Sequence, residues 1–181
     1  MKRNGLIKLL QNYFPENKEE QIFKEEILDF IKANINCFER SLGIGHITAS
    51  SWLVNADNSK VLLMHHAKLG KWFQLGGHCD GESDTLAVAI KEAQEESGIN
   101  NIIPVSEEIF DIDIHLIPEN PKEKAHFHYD IRFLLKVNSN EKIVQNRESK
   151  ELRWIEKDIA KLPTDTPSII RMFKKWTNLK H

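Results

Sequence analysis

Glu92, Glu95 and Glu96 crowd into the stretch TLAVAIKEAQEESGI. At helical spacing Glu92 and Glu96 lie one turn apart with Glu95 beside them, so three carboxylates share one sector. Like charges at this spacing destabilise a helix by a few tenths of a kcal/mol per pair. The C-terminal end of a helix already carries partial negative charge, which makes the placement worse. A divalent cation that prefers hard oxygen ligands resolves the conflict. Mg²⁺ takes carboxylates, backbone carbonyls and water, and keeps positions open for phosphate oxygens. The Gly76-Gly77 pair ahead of the segment lets a backbone carbonyl approach the same ion. The competing reading is a solvated acidic patch. The glycine turn before the glutamates and Gly98 after them weigh towards a site.

A second set of chemical residues sits in DIDIH and HFHYDIR. Residues two apart in a strand share a face. Asp111, Asp113 and His115 therefore line one side, and His126, His128, Asp130 and Arg132 line one side of the next strand. Paired in the right register, the two rows form one His/Asp surface. Alternation alone fits the solvated side of an antiparallel pair, but such faces normally carry Lys, Glu, Thr and Ser. The functional reading is a grip on ribose and phosphate, or an additional transition metal held through imidazoles. His46, His65, His66 and His78 are candidates to join it. Lys68, in KLGK, is a candidate phosphate contact, although a lysine in a turn is usually just solvated.

The elements that position these groups follow from periodicity. Leu6–Phe14 reads as a short helix ended by Pro15. Ile22, Phe23, Ile27, Phe30, Ile31 and Ile35 recur at helical spacing, opposite mixed charges, which predicts an amphipathic helix packed on the main body. ITASSWLV and VLLMHH flank the turn NADNSK as a hairpin. WFQL is a short strand running into Gly76-Gly77. Ser83 or Asp84 caps the glutamate helix, Leu86, Ala89, Ile90 and Ala93 form its buried face, and Gly98 stops it. IFDIDIHLIP and HFHYDIRFLLKV are strands, a short strand covers Leu152–Ile155, and a last helix buries Ile169, Ile170, Phe173 and Trp176. The order suits one α/β domain with a mixed β-sheet: residues 1–43 as a helical extension and 44–181 as the main domain.

The chain's 181 residues, 40% hydrophobic and 29% charged, fit one domain with a sizeable core. A net charge of −2 gives no electrostatic case for nucleic acid or an anionic membrane, so an anionic substrate needs a local cluster or a metal. No apolar run reaches the roughly 18 residues that span a bilayer, and the opening residues lack a signal-peptide cleavage site. Two cysteines, Cys37 and Cys79, make a reduced, cytoplasmic protein the default expectation, with a single disulfide as the other reading.

The stretch from Gly77 to Ile99 resembles the Nudix box: Gly, five residues, Glu, seven residues, Arg-Glu-apolar, one residue, Glu-Glu, one residue, Gly-apolar. It matches at Gly77, Glu92, Ala93, Glu95, Glu96, Gly98 and Ile99. Ser83 stands where the first Glu belongs, with Glu82 and Asp84 on either side. Lys91 replaces the Arg, keeping the charge without the planar fork. GGHCDG and HFHYDIRFLL further resemble a Nudix subgroup with an N-terminal helical extension. The resemblance implies an α/β/α sandwich and hydrolysis of a nucleoside diphosphate linked to another moiety, with Mg²⁺ or Mn²⁺ and an attacking water. It also implies Glu92, Glu95 and Glu96 as catalytic metal ligands, Glu92 as first choice for the base, and the Gly76 carbonyl as a further ligand. His78, Asp113, His115, His126, His128, Asp130, Arg132 and Lys68 are the substrate-binding candidates. Glu148 and Glu151, before the last strand, are candidates for an extra ligand or base from outside the box. A homodimer is an expectation, because members of this fold often dimerise. Isopentenyl diphosphate isomerases share the fold and use a cysteine, but their cysteine motifs do not surround Cys79. The alternative is a Nudix-fold nucleotide-binding or regulatory module with little turnover, which Ser83 and Lys91 favour and the intact glutamate set opposes.

Overall fold

The computed structural model describes residues 2–121, 123–138, 142–147 and 149–179. In chain order the elements are α1 (Asn4–Asn12), α2 (Lys18–Ala33), β1 (Gly45–Val54), β2 (Lys60–His66), β3 (Trp72–Phe73), β4 (Leu75–His78), α3 (Thr85–Ser97), β5 (Ile102–Pro104), β6 (Asp111–Ile117), β7 (His126–Val137), β8 (Ser149–Glu156), a 3-10 turn (Ile159–Lys161) and α4 (Pro167–Asn178). The strands belong to a mixed sheet of order β3-β2-β1-β7-β5, with β4 beside β1, β6 beside β7 and β8 beside β2. The expected α/β architecture is therefore present. Contacts cluster into two units, one of Met1–Ser50, Gly77–Ala89 and Ser106–Phe133, the other of Ser51–Gly76, Ile90–Val105 and Leu134–His181.

In the first unit α2 starts on Asn17, whose side chain accepts from the Glu20 N–H at 3.0 Å and donates to Glu20 Oε1 at 2.8 Å. This is a cap satisfied in both directions. Glu20 is itself buried and accepts from the Tyr13 hydroxyl at 2.6 Å. Ile27, Phe30 and Ile31 are buried, and Phe30 stacks on Tyr129 with centroids 3.9 Å apart. Ile22 and Ile35 are exposed, contrary to the expected stripe. Ile22 stands five positions from Ile27, off the face, and Ile35 follows the extended C-cap Asn34. β6 and β7 pair antiparallel in the register that sets Asp111 opposite Arg132, Asp113 opposite Asp130, His115 opposite His128 and Ile117 opposite His126. Gly45 begins β1 at φ 148°, and a Cβ there would lie 2.5 Å from the Phe127 carbonyl oxygen. Only glycine fits.

In the second unit β2 pairs with β8 from Lys60 opposite Glu156 to His66 opposite Ser149, so the last strand is longer than expected. Asn55 Oδ1 accepts from the Ser59 and Lys60 N–H groups and holds the turn before β2. Trp176 of α4 packs edge-on against Trp52, with centroids 6.2 Å apart, and donates its indole N–H to Asn58 Oδ1 at 2.6 Å. Met172 joins Ile169, Phe173 and Trp176 in the core, while Ile170 is half-buried. The short strand β5, which sequence periodicity did not mark, pairs Ile102–Pro104 with Leu135–Val137 of β7.

Candidate functional site

The glutamate helix begins on Asp84, whose Oδ1 accepts from the Ala87 N–H at 3.0 Å. This settles the cap between Ser83 and Asp84. Glu82 turns its Oε1 onto the Ser83 and Asp84 N–H groups at 2.6 and 2.9 Å, which hold its carboxyl below the usual range, Asp84 first. Both acids that flank the altered box position are thus engaged with backbone. The buried face runs through Thr85, Val88, Ala89, Ala93, Glu96 and Ser97, with Leu86 and Ile90 only half-buried. Gly98 closes the helix at φ 69°, its N–H bonded to the Gln94 carbonyl at 2.9 Å.

The three glutamates occupy three environments. Glu96 is buried, at 5% exposure, and its Oε2 accepts from the Gly76 N–H at 2.8 Å. Glu92 is 17% exposed at its side chain and Glu95 59%. Lys91 places its ammonium 3.4 Å from Glu92 Oε1 and 3.4 Å from Glu95 Oε1, so the residue that replaces the box arginine bridges two of the acids. The Glu92 charge, then Glu95, raises its pKa. These donors are hard oxygens concentrated at one helix end, the chemistry that suits a small divalent cation. Lys68 is exposed in the turn after β2. Glu151, on β8, accepts from Arg153 at 2.7 Å, and Glu148 lies outside the described residues.

The second set gathers in the first unit. His46 on β1, His78 on β4 and His128 on β7 each offer a ligand atom within 4.8 Å of the others, the one such triplet of His, Cys, Asp or Glu among the described residues. His46 stands at the centre, its ring 5.0 Å from His78, 5.0 Å from His126 and 4.8 Å from His128. His115 lies 5.3 Å from His128 and sets Nδ1 3.2 Å from Asp113 Oδ2. Burial pushes His46 down to about 4 and His128 down to about 2, and lowers His78; neighbouring histidines add to this, while Asp80 opposes it at His46 and Asp80 and Glu123 oppose it at His78. The His46 and His128 rings are neutral at physiological pH. His65 and His66 are elsewhere: His65 stacks on Trp72, and His66 Nδ1 accepts from the Lys68 and Leu69 N–H groups. Burial drives the Cys79 thiol well above its ordinary range, which makes it a poor nucleophile, and Cys37 and Cys79 are both free thiols.

Further along the same strand faces the polar rows become a buried ion network. Arg132, 2% exposed, donates from Nε to Asp130 at 2.7 Å and from Nη1 to Asp111 at 3.0 Å, with Nη2 3.2 Å from Asp113. Asp130 also accepts from Thr48 at 2.9 Å and Ser50 at 2.7 Å. Asp130 and Arg132 were expected to meet substrate; both are enclosed, and their bonds run to side chains of β1, β6 and β7. The solvated-face alternative fails for the same reason. Thr48 and Ser50 were missed, although His46, Thr48 and Ser50 alternate along β1 as the polar residues do along β6 and β7. That period of two was the available signal.

A scan against protein families matches the NUDIX domain over residues 45–176. The chain belongs to this family. Among solved structures it is similar to a hydrolase of the NUDIX family from Clostridium perfringens, at 26% identity and TM-score 0.55, covering 75% of this chain and 98% of that one. It is also similar to a C. elegans Ap4A hydrolase binary complex, at 18% identity and TM-score 0.58, covering 72% and 94%. A MutT NUDIX hydrolase from Burkholderia pseudomallei aligns at 18% identity and TM-score 0.55, covering 72% and 97%. At 18% identity the last two show the fold alone. No curated protein matches in sequence. Among the described residues no helix of this NUDIX chain is long and apolar enough to cross a membrane.

Proposed function

We propose that this NUDIX chain hydrolyses a pyrophosphate bond in a nucleoside diphosphate linked to another moiety, with Mg²⁺ or Mn²⁺ as cofactor. The observation that carries the reading is the buried Glu96 carboxylate, fixed by the Gly76 N–H at 2.8 Å beside Glu92 on the same helix. A buried carboxylate anchored by a backbone amide is positioned before any ligand arrives, and a pair of hard-oxygen donors one turn apart fits the proposed ions. Glu92, Glu95 and Glu96, with the Gly76 carbonyl, would hold the cation. When bound, such an ion neutralises diphosphate charge and raises the acidity of water.

The chain's own residues supply the rest. Glu96 keeps its orientation through the Gly76 amide. Glu92, partly shielded and paired with Lys91, takes the proton from the attacking water. The water oxygen bonds to phosphorus, the bridging P–O bond breaks, and its electron pair leaves on the departing phosphate. A weak-turnover binding module is the second reading. It draws support from Lys91 bridging Glu92 and Glu95 and from the backbone engagement of Glu82 and Asp84. Release of phosphomonoester products over a panel of nucleoside diphosphate derivatives, read as inorganic phosphate after addition of a phosphatase, with Mg²⁺, Mn²⁺ or EDTA, tests the proposal against Glu96→Gln. Cation-dependent turnover that the variant loses supports hydrolysis. Saturable binding without turnover of any substrate supports the module.

A further inference from the structure

We infer that His46, His78 and His128 form a binding site for a divalent transition-metal ion of the Zn²⁺ or Co²⁺ kind, separate in composition from the glutamate set. Two independent observations meet here. The first is convergence: ligand atoms from β1, β4 and β7 lie within 4.8 Å of one another. Ligands about a tetrahedral ion at ~2.1 Å stand roughly 3.4 Å apart, so modest side-chain rotation closes the set. The second is the state of His46. It is 2% exposed, yet neither ring nitrogen has a hydrogen-bond partner. A buried imidazole without partners is costly to keep, and its lone pair is satisfied by a metal in a way the surrounding residues do not achieve.

Imidazole donors favour Zn²⁺, Co²⁺, Ni²⁺ or Cu²⁺ over Mg²⁺, which selects oxygen. Three histidines leave a fourth position for water or an anionic ligand, the pattern of an open rather than a closed zinc site. The outer groups are arranged to orient the ligands. His126 Nδ1–H donates to the Lys124 carbonyl at 2.8 Å, and its Nε2 lies 3.3 Å from His128 Nε2, so His126 orients the His128 ring. Simple packing would place an apolar side chain at the buried His46 position, without the desolvation that an imidazole carries.

The test is Co²⁺ titration of the metal-stripped full chain in phosphate-free buffer, read by the visible d–d absorption of low-symmetry Co²⁺. The expected result is one equivalent per chain, displaced by Zn²⁺ and untouched by excess Mg²⁺. His78→Asn and His128→Asn should abolish stoichiometric binding, and His126→Ala should weaken it by about 10–100-fold. Because His46 is buried and its variants risk misfolding, the half-buried His78 carries the mutational arm, and circular dichroism confirms that variant's fold. Glu96→Gln should keep the Co²⁺ spectrum whatever it does to hydrolysis, so this inference and the proposed function fail separately. Absence of a stoichiometric band in the wild-type chain, or a band that persists in both histidine variants, overturns the site. So does a band lost in Glu96→Gln alone.

Discussion

The glutamate turn and the histidine face solve opposite problems with polar residues. At the end of α3, charges of one sign sit on a helix that repels them, graded from exposed Glu95 to buried Glu96, with Lys91 between two of them. In the histidine face a buried His46 is ringed by further imidazoles, and the electrostatics have moved along the same strands to Arg132 and its three aspartates. The first region sets like charges against one another, and under the proposed function a bound cation would relieve them. The second hides its charge in mutual pairing and leaves unpaired imidazole nitrogens. Clustering of titratable residues therefore has two meanings, and burial together with partner count tells them apart.

The sharpest way to break this contrast is Arg132→Met. If the network is structural, removal of the guanidinium leaves buried carboxylates uncompensated and should cost about 3–5 kcal/mol in urea unfolding. A loss below 1 kcal/mol would mean that water reaches the aspartates. Glu96→Gln should do the reverse: hydrolysis falls on the order of 100-fold or more, while thermal stability changes little, because a glutamine oxygen can still accept the Gly76 N–H. Equal activity in variant and wild type would remove Glu96 from the site. For the metal-free protein, neutral His46 and His128 predict acid sensitivity. Their pKa values in the fold, about 4 and about 2, lie below the ordinary 6.5. Below 6.5 the unfolded chain binds protons that the fold does not. Their contribution to stability is full above pH 6.5 and declines as pH falls towards the folded values. Urea midpoints measured across that window should drop, and a flat profile would contradict the dry environment. The smallest effect is expected from Lys91→Ala, a few tenths of a kcal/mol, since its ammonium is exposed. A larger loss would show that the bridge does more than screen two acids.

Much of this was legible in local pattern. The spacing of Glu92, Glu95 and Glu96 and the glycines around them marked the helix, its end and its unusual charge, because helix geometry fixes which residues share a sector. The strand alternation placed the histidines and aspartates in common rows, and the β6–β7 register keeps them there. Other features were hidden. β5 has only three residues, too few for a period, and its pairing with β7 decides it. Alternation also could not say whether Asp130 and Arg132 faced water.

The sequence by itself determined the longer elements, the glutamate cluster and the polar rows, since each depends on neighbours a few residues away. Tertiary structure decided that Glu96 meets the Gly76 amide, twenty residues distant in the chain. It also decided that His46 meets His78 and His128, and that Arg132 is enclosed by carboxylates from two strands. Burial and partner choice are long-range quantities. A carboxylate or an imidazole has the same local signal in water as in a core, and only the packing around it sets its charge, its partners and its chemistry.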